Sequence, residues 1–150
     1  MRQKFILTVL MSLLLSIPLL KASEVNLKND ESQNKTEMSE EDKLVVVWTS
    51  GDKDVAMKMV FMYTYNAKKQ AWWDDVTLLV WGPSSKLLSQ DKDLQDYVKK
   101  MMESGVHVMA CKACADQYGV ADKLKKLGVT VKYAGQDLTQ FIKERKVVTF

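Results

Sequence analysis

Five short apolar runs, separated by longer amphipathic stretches, constrain the fold of this chain more than any other feature. Leu44 to Trp48 (LVVVW) is β-branched and unbroken by polar residues, as a strand buried on both faces should be. Val76 to Trp81 (VTLLVW) reads as a second buried strand, and the apolar-rich segments Val106 to Ala110, Val129 to Tyr133 and Val147 to Phe150 as three more. Between them the spacing of apolar residues predicts helices over Val55 to Gln70 and Leu94 to Met102, the latter stopping at Gly105. A further helical stretch is predicted after the third run through Lys126, and a last one over Leu138 to Arg145. Strands alternating with helices over short connections imply right-handed crossovers. The expected fold is α/β, a three-layer α/β/α sandwich around a mostly parallel five-stranded sheet.

That pattern begins only at residue 43. Arg2 and Lys4 precede Phe5 to Leu20, an apolar run of 16 residues, and this is the layout of a secretory signal. Sixteen residues of helix reach about 24 Å, short of a roughly 30 Å hydrocarbon core. Residues 1–22 are therefore expected to be a cleaved signal, leaving no membrane span and a periplasmic or secreted protein. Residues 23–42 are almost without apolar side chains and are expected to be a flexible polar linker. The folded domain is then 43–150. The net charge of +3 lies in the signal, because without Arg2, Lys4 and Lys21 the chain holds 19 basic against 19 acidic residues. A chain balanced in this way has no summed field to attract a polyanion, so nucleic acid is not an expected partner.

Open α/β sheets place ligands at the carboxyl ends of their strands. Here those ends carry Ser50 and Gly51, then Trp81, Gly82 and Ser84, then Cys111-Lys112-Ala113-Cys114. Both cysteines of the protein fall in that one C-x-x-C, directly after a strand and at a helix start. Amides at a helix start and the neighbouring Lys112 favour a thiolate. Cys111 is thus a candidate nucleophile with Cys114 as its resolving partner, and Lys112, Ser50, Gly51, Trp81, Gly82 and Ser84 are candidate binding residues. A passive disulfide closing so short a loop contributes only about 2 kcal/mol in the chain-entropy picture, a weak reason to place both cysteines there. His107 stands four residues before Cys111 on one strand, about 13 Å away, too far to share a zinc ion. No complete metal site and no cofactor are expected, although two cysteines alone could hold a soft metal. His107 is expected in the sheet interior or near an interface, and Trp48 and Trp81 are expected to end neighbouring strands beside the cysteine loop. Ser50 and Ser84 have no His placed to activate them, so a hydrolase triad is not expected.

The first helix is apolar on most sides: Val55, Ala56, Met57, Met59, Val60, Phe61, Met62, Tyr63 and Tyr65 surround its axis. Such a helix either fills a small core or packs its outer face on another subunit.

The stretch GVHVMACKACADQYGVADKLKKLGVTVKYAG resembles the DsrE/DsrF-like family of sulfur-relay proteins. It has a strand ending in a cysteine (Cys111), a helical segment, a glycine eight residues on (Gly119), then another helix and strand. The opening LVVVWTSGDKDVAMKMVFMYTYNAKK and the VTLLVWGPSSKLL segment are similar to the family's first strand, long helix and second strand. The resemblance spans about residues 43–150. It implies a three-layer sandwich, homotrimers or hexamers, and a cysteine that accepts sulfur as a persulfide and passes it to a partner protein. By position that cysteine is Cys111, and Cys114 matches the second cysteine of a C-x-x-C subgroup. Gln117-Tyr118 stands where relay members carry a basic pair, and an exported chain departs from their cytoplasmic setting. The expected activity is that of an exported sulfur carrier, with donor and acceptor unassigned. A non-catalytic oligomeric binding module and a thiol–disulfide exchanger are the alternatives.

Overall fold

The computed structural model describes residues 42–150; the expected signal and all of the expected linker except Asp42 lie outside them. Five strands form one sheet: β1 (Lys43–Trp48), β2 (Asp75–Val80), β3 (His107–Cys111), β4 (Thr130–Lys132) and β5 (Lys146–Thr149). Their spatial order is β4-β3-β2-β1-β5, and every adjacent pair is parallel.

That order dictates where the helices go. From β1 through β4 the chain steps repeatedly toward one edge, so right-handed crossovers put all the intervening helices on one face. The return from β4 to β5 crosses the sheet the other way and puts its helix on the opposite face. The first face carries α1, built of Lys53–Val55, a π-helical segment Ala56–Phe61, and Met62–Lys69. It also carries α2 (Pro83–Gln90), α3 (Lys92–Glu103) and α5 (Ala121–Lys126). Between β3 and α5 runs the short α4 (Lys112–Gln117). The second face carries α6 (Gly135–Glu144). The sandwich has three layers, and its outer two are unequal.

Helix boundaries follow local chemistry. The Asp52 carboxylate accepts the backbone N–H groups of Asp54 (2.7 Å) and Val55 (3.0 Å) and so caps α1. Asp91 does the same for α3 through the Leu94 N–H at 3.1 Å. The stretch after β3 is two helices rather than one continuous helix, broken at Tyr118-Gly119. The π-helical segment adds a residue to the turn, which lets the consecutive Val60 and Phe61 both turn inward. Thr64, also buried, donates its hydroxyl to the Val60 carbonyl at 2.6 Å. The α1 helix is therefore a core element, yet Met59 and Met62 on its outer side remain 50 % and 51 % exposed, as does Trp72 just beyond it at 59 %.

The core lies mostly on the first face. Trp48, Phe61, Leu78, Leu88, Leu94 and Met101 are fully buried there. A smaller cluster of Val45, Val47, Leu79, Met109, Cys111 and Ala134 lies on the second face, with Leu138 and Phe141 of α6 against it.

Candidate functional site

The carboxyl ends of β1, β2 and β3 converge. A Cβ on Gly51 would stand 3.3 Å from the Pro83 Cβ, so the loop after β1 packs tightly against the loop after β2. Gly82 adopts φ +70°, a backbone conformation that glycine takes without strain, and this turn leads directly into α2 at Pro83. Its N–H bonds the Cys114 sulfur, joining the β2 end to the cysteine loop.

Cys111 closes β3 and stands at the N-cap position of α4, and Cys114 sits on the first turn of that helix. Both are free thiols. Cys111 is only 4 % exposed, whereas Cys114 is half-buried. Burial pushes the Cys114 thiol up, and its hydrogen bond with Cys111 pushes it the same way; the Gly82 N–H offsets part of the effect. The two thiols are close enough to share a hydrogen bond. The second-face cluster surrounds them, with Trp81 and Ala113 beside Cys114 and Met109 two residues before Cys111 on the same side of β3.

Several expected site residues take other roles. Lys112 bonds Asp116 at 2.5 Å and lies 5.2 Å over the Tyr133 ring. The Asp116 carboxylate holds its ammonium above the ordinary lysine value and compensates its charge, so Lys112 is not a free cation beside Cys111. Ser84 is fully buried: its hydroxyl donates to the Trp48 carbonyl at 2.6 Å and accepts the Trp81 N–H at 3.0 Å. It clips the ends of β1 and β2 together. Ser50 accepts the Asp52 N–H at 3.1 Å and shapes the turn before α1. Trp48 does not share a wall with Trp81. Trp48 pairs in register with Val80, and Trp81 follows one residue later, so pleat alternation sends the two indoles to opposite faces. His107 lies exposed at the first position of β3, in register with Thr77, outside the sheet interior.

Residues that sequence reasoning passed over are Met109, Asp116, Tyr133 and the α6 pair Leu138 and Phe141. Met109 was legible in one respect, since alternate residues of a strand share a face. Among the described residues, no three of His, Cys, Asp and Glu gather where they would hold a metal ion. No helix there is long and apolar enough to cross a membrane.

Residues 42–150 match the DsrE/DsrF-like family. The chain belongs to that family. A solved structure of a conserved protein of unknown function from Bacteroides thetaiotaomicron is 36 % identical. The match covers 73 % of this chain and 95 % of that one, with a TM-score of 0.70. The ychN protein of E. coli shares the fold at 19 % identity, over 72 % of this chain and 98 % of its own, with a TM-score of 0.59. A protein of unknown function from Methanobacterium thermoautotrophicum does so at 19 % identity, over 73 % and 100 %, with a TM-score of 0.57. No curated protein matches the chain. The likeness to these solved structures agrees with the five-stranded α/β sandwich described above.

Proposed function

We propose that this DsrE/DsrF-like protein is an exported sulfur carrier that forms a persulfide on Cys111. The observation that carries this reading is the pair of free thiols at the carboxyl edge of the sheet, Cys111 at the end of β3 and Cys114 on the first turn of α4. In the first step the Cys111 thiolate attacks a sulfane sulfur of a polysulfide or thiosulfate; a Cys111 S–S bond forms and the donor's S–S bond breaks, leaving the shortened polysulfide or sulfite. An acceptor thiolate then takes the terminal sulfur and restores Cys111. Without an acceptor, Cys114 attacks Cys111, expelling hydrosulfide and closing a disulfide. The burial of Cys111 favours compact inorganic donors over bulky ones.

Intact mass of the reduced protein after exposure to polysulfide or thiosulfate tests this. Added sulfur atoms should appear, vanish in Cys111→Ser, and persist longer in Cys114→Ser. Loss of only two hydrogens in the wild-type protein, with no sulfur retained even in Cys114→Ser, would sink the carrier reading in favour of thiol–disulfide exchange.

The chain also works as a homo-oligomer in this proposal. Met59 and Met62, one helical turn apart, form with Trp72 an apolar strip on the outer side of α1 of the kind that marks contacts. Met59→Lys with Met62→Lys should lower the solution mass to that of one chain by light scattering. An unchanged mass places the interface elsewhere.

A further inference from the structure

Met109, Cys111 and Cys114 spell M-x-C-x-x-C across the β3–α4 junction, and the fold puts their three sulfurs on one side of the sheet. Met109 and Cys111 are alternate residues of β3 and therefore share a face. They belong to one buried cluster, and Cys114 packs against it. The surroundings are apolar: Val47, Leu79, Trp81, Leu138 and Phe141. Both thiols are free, and they are close enough to share a hydrogen bond.

The donor set decides which ion fits. Calcium and magnesium need six or more oxygen ligands, and none gather here. Structural zinc needs four nitrogen or sulfur ligands, and no third His, Cys, Asp or Glu joins the two cysteines among the described residues. A soft monovalent ion is different, because two thiolates alone satisfy it and a thioether is a suitable weak third donor. We propose that Cys111 and Cys114 bind Cu(I) as a bis-thiolate, with the Met109 thioether as an auxiliary donor. Two S–H bonds break and release their protons to solvent, two Cu–S bonds form, and the ligand that delivered the ion departs. No electron moves. The apolar shell keeps water from the sulfurs, and the Gly82 N–H points at the Cys114 sulfur, where it stabilises the net negative charge of the complex.

The site is the same as that of sulfur transfer, but copper binding does not depend on it. The test uses the reduced protein under anaerobic conditions, titrated with the Cu(I)–bicinchoninate complex while the chelator's colour is followed. One Cu(I) per chain should be withdrawn from the chelator. Cys111→Ser and Cys114→Ser should each lose that capacity while keeping the wild-type melting temperature. Met109→Leu, a near-isosteric change, should weaken retention about tenfold, within the range seen when a group around the primary ligands is removed. It should also leave sulfur uptake from polysulfide unchanged, which separates this proposal from the carrier reading. No withdrawal by the wild-type protein, or full withdrawal by either serine variant, overturns copper binding. An unchanged affinity in Met109→Leu overturns the thioether's part in it.

Discussion

The sheet's first face, under α1, α2, α3 and α5, and its second face, under α6, are built from the same strands yet differ in depth and chemistry. On the first, Trp48 meets Phe61 edge to face at 4.9 Å, and Phe61 meets Tyr97 at 5.4 Å. Leu88, Leu94, Val98 and Met101 complete a fully buried layer there. On the second, no residue of α6 is fully buried, and its half-buried Leu138 and Phe141 lie over a cluster that includes both cysteines. The difference follows from topology, since four strands in sequence stack their helices on one side and leave a single return helix for the other. The deep face supplies stability. The thin face covers the two cysteines with a single helix.

The largest test of that contrast is to cut one large side chain from each face. Phe61→Ala removes a fully buried ring with two aromatic neighbours and should cost about 3–5 kcal/mol. Leu138→Ala removes a half-buried side chain beside an open surface and should cost about 1–2 kcal/mol. The two losses are read from urea unfolding midpoints at constant slope. Leu138→Ala should also speed alkylation of the thiols under native conditions, because it strips part of their cover. Equal losses in stability would break the account of a deep and a thin face.

A second test asks what fastens the thin layer. Arg145, directly after α6, pairs with Asp75 at the start of β2 at 2.8 Å, with side chains 22 % and 15 % exposed. Arg145→Ala would leave the Asp75 carboxylate half-buried without its partner and should cost about 2–3 kcal/mol in unfolding free energy. Hydrogen exchange in α6 and β5 should rise more than in α3. If protection falls evenly across both faces, the pair is not a fastening of the second layer.

A smaller effect is expected at the clip between strand ends. Ser84→Ala loses the hydroxyl bond to the Trp48 carbonyl but leaves the Trp81 N–H bonded to that same carbonyl at 2.9 Å. A cost of about 1–2 kcal/mol is expected from thermal unfolding, the range for one buried hydrogen bond. A loss as large as that of Phe61→Ala would mean that Ser84 holds the cysteine loop as well as the strands.

Most of the architecture was legible because its signals are local. Strands buried on both faces need continuous β-branched runs, and LVVVW and VTLLVW supply them. The cysteine pair was legible because a strand end meeting a helix start is itself a local pattern. Side-chain direction was not. One residue of offset between Trp48 and Trp81 reverses the face each occupies, and no composition rule registers that. Ser84 looked like a pocket residue because a serine after a strand has the same letters whether its hydroxyl points outward or back into a carbonyl. The π-helical segment in α1 was hidden for a related reason: its cause is the packing of Val60 and Phe61 together against the sheet, a tertiary demand. The charge on Lys112 was counted as free because its partner, Asp116, stands one helical turn away and only the folded helix brings the two together.

The smallest expected effect lies in the exposed ion pairs that tie α1 to α3 on the deep face. Lys53 reaches Asp91 at 2.8 Å and Asp93 at 2.7 Å. Hydrogen bonds to Asp91 and then Asp93 push its ammonium up to about 12. The same contact, aided by the Leu94 N–H, holds the Asp91 carboxyl below its ordinary value. A base whose folded pKa is raised contributes stability that is fully present below its ordinary value of 10.5 and is lost as pH rises through about 12. An acid whose folded pKa is lowered contributes stability present above its ordinary value of 3.8 and lost as pH falls through the lowered one. The melting-temperature difference between wild type and Lys53→Met should therefore be flat through neutral pH and shrink at both extremes. Because the groups are exposed, added salt should shrink it too. A difference that grows above pH 10.5 would show that Lys53 holds α1 against α3 through its aliphatic stem, and the deep face would then owe nothing to charge.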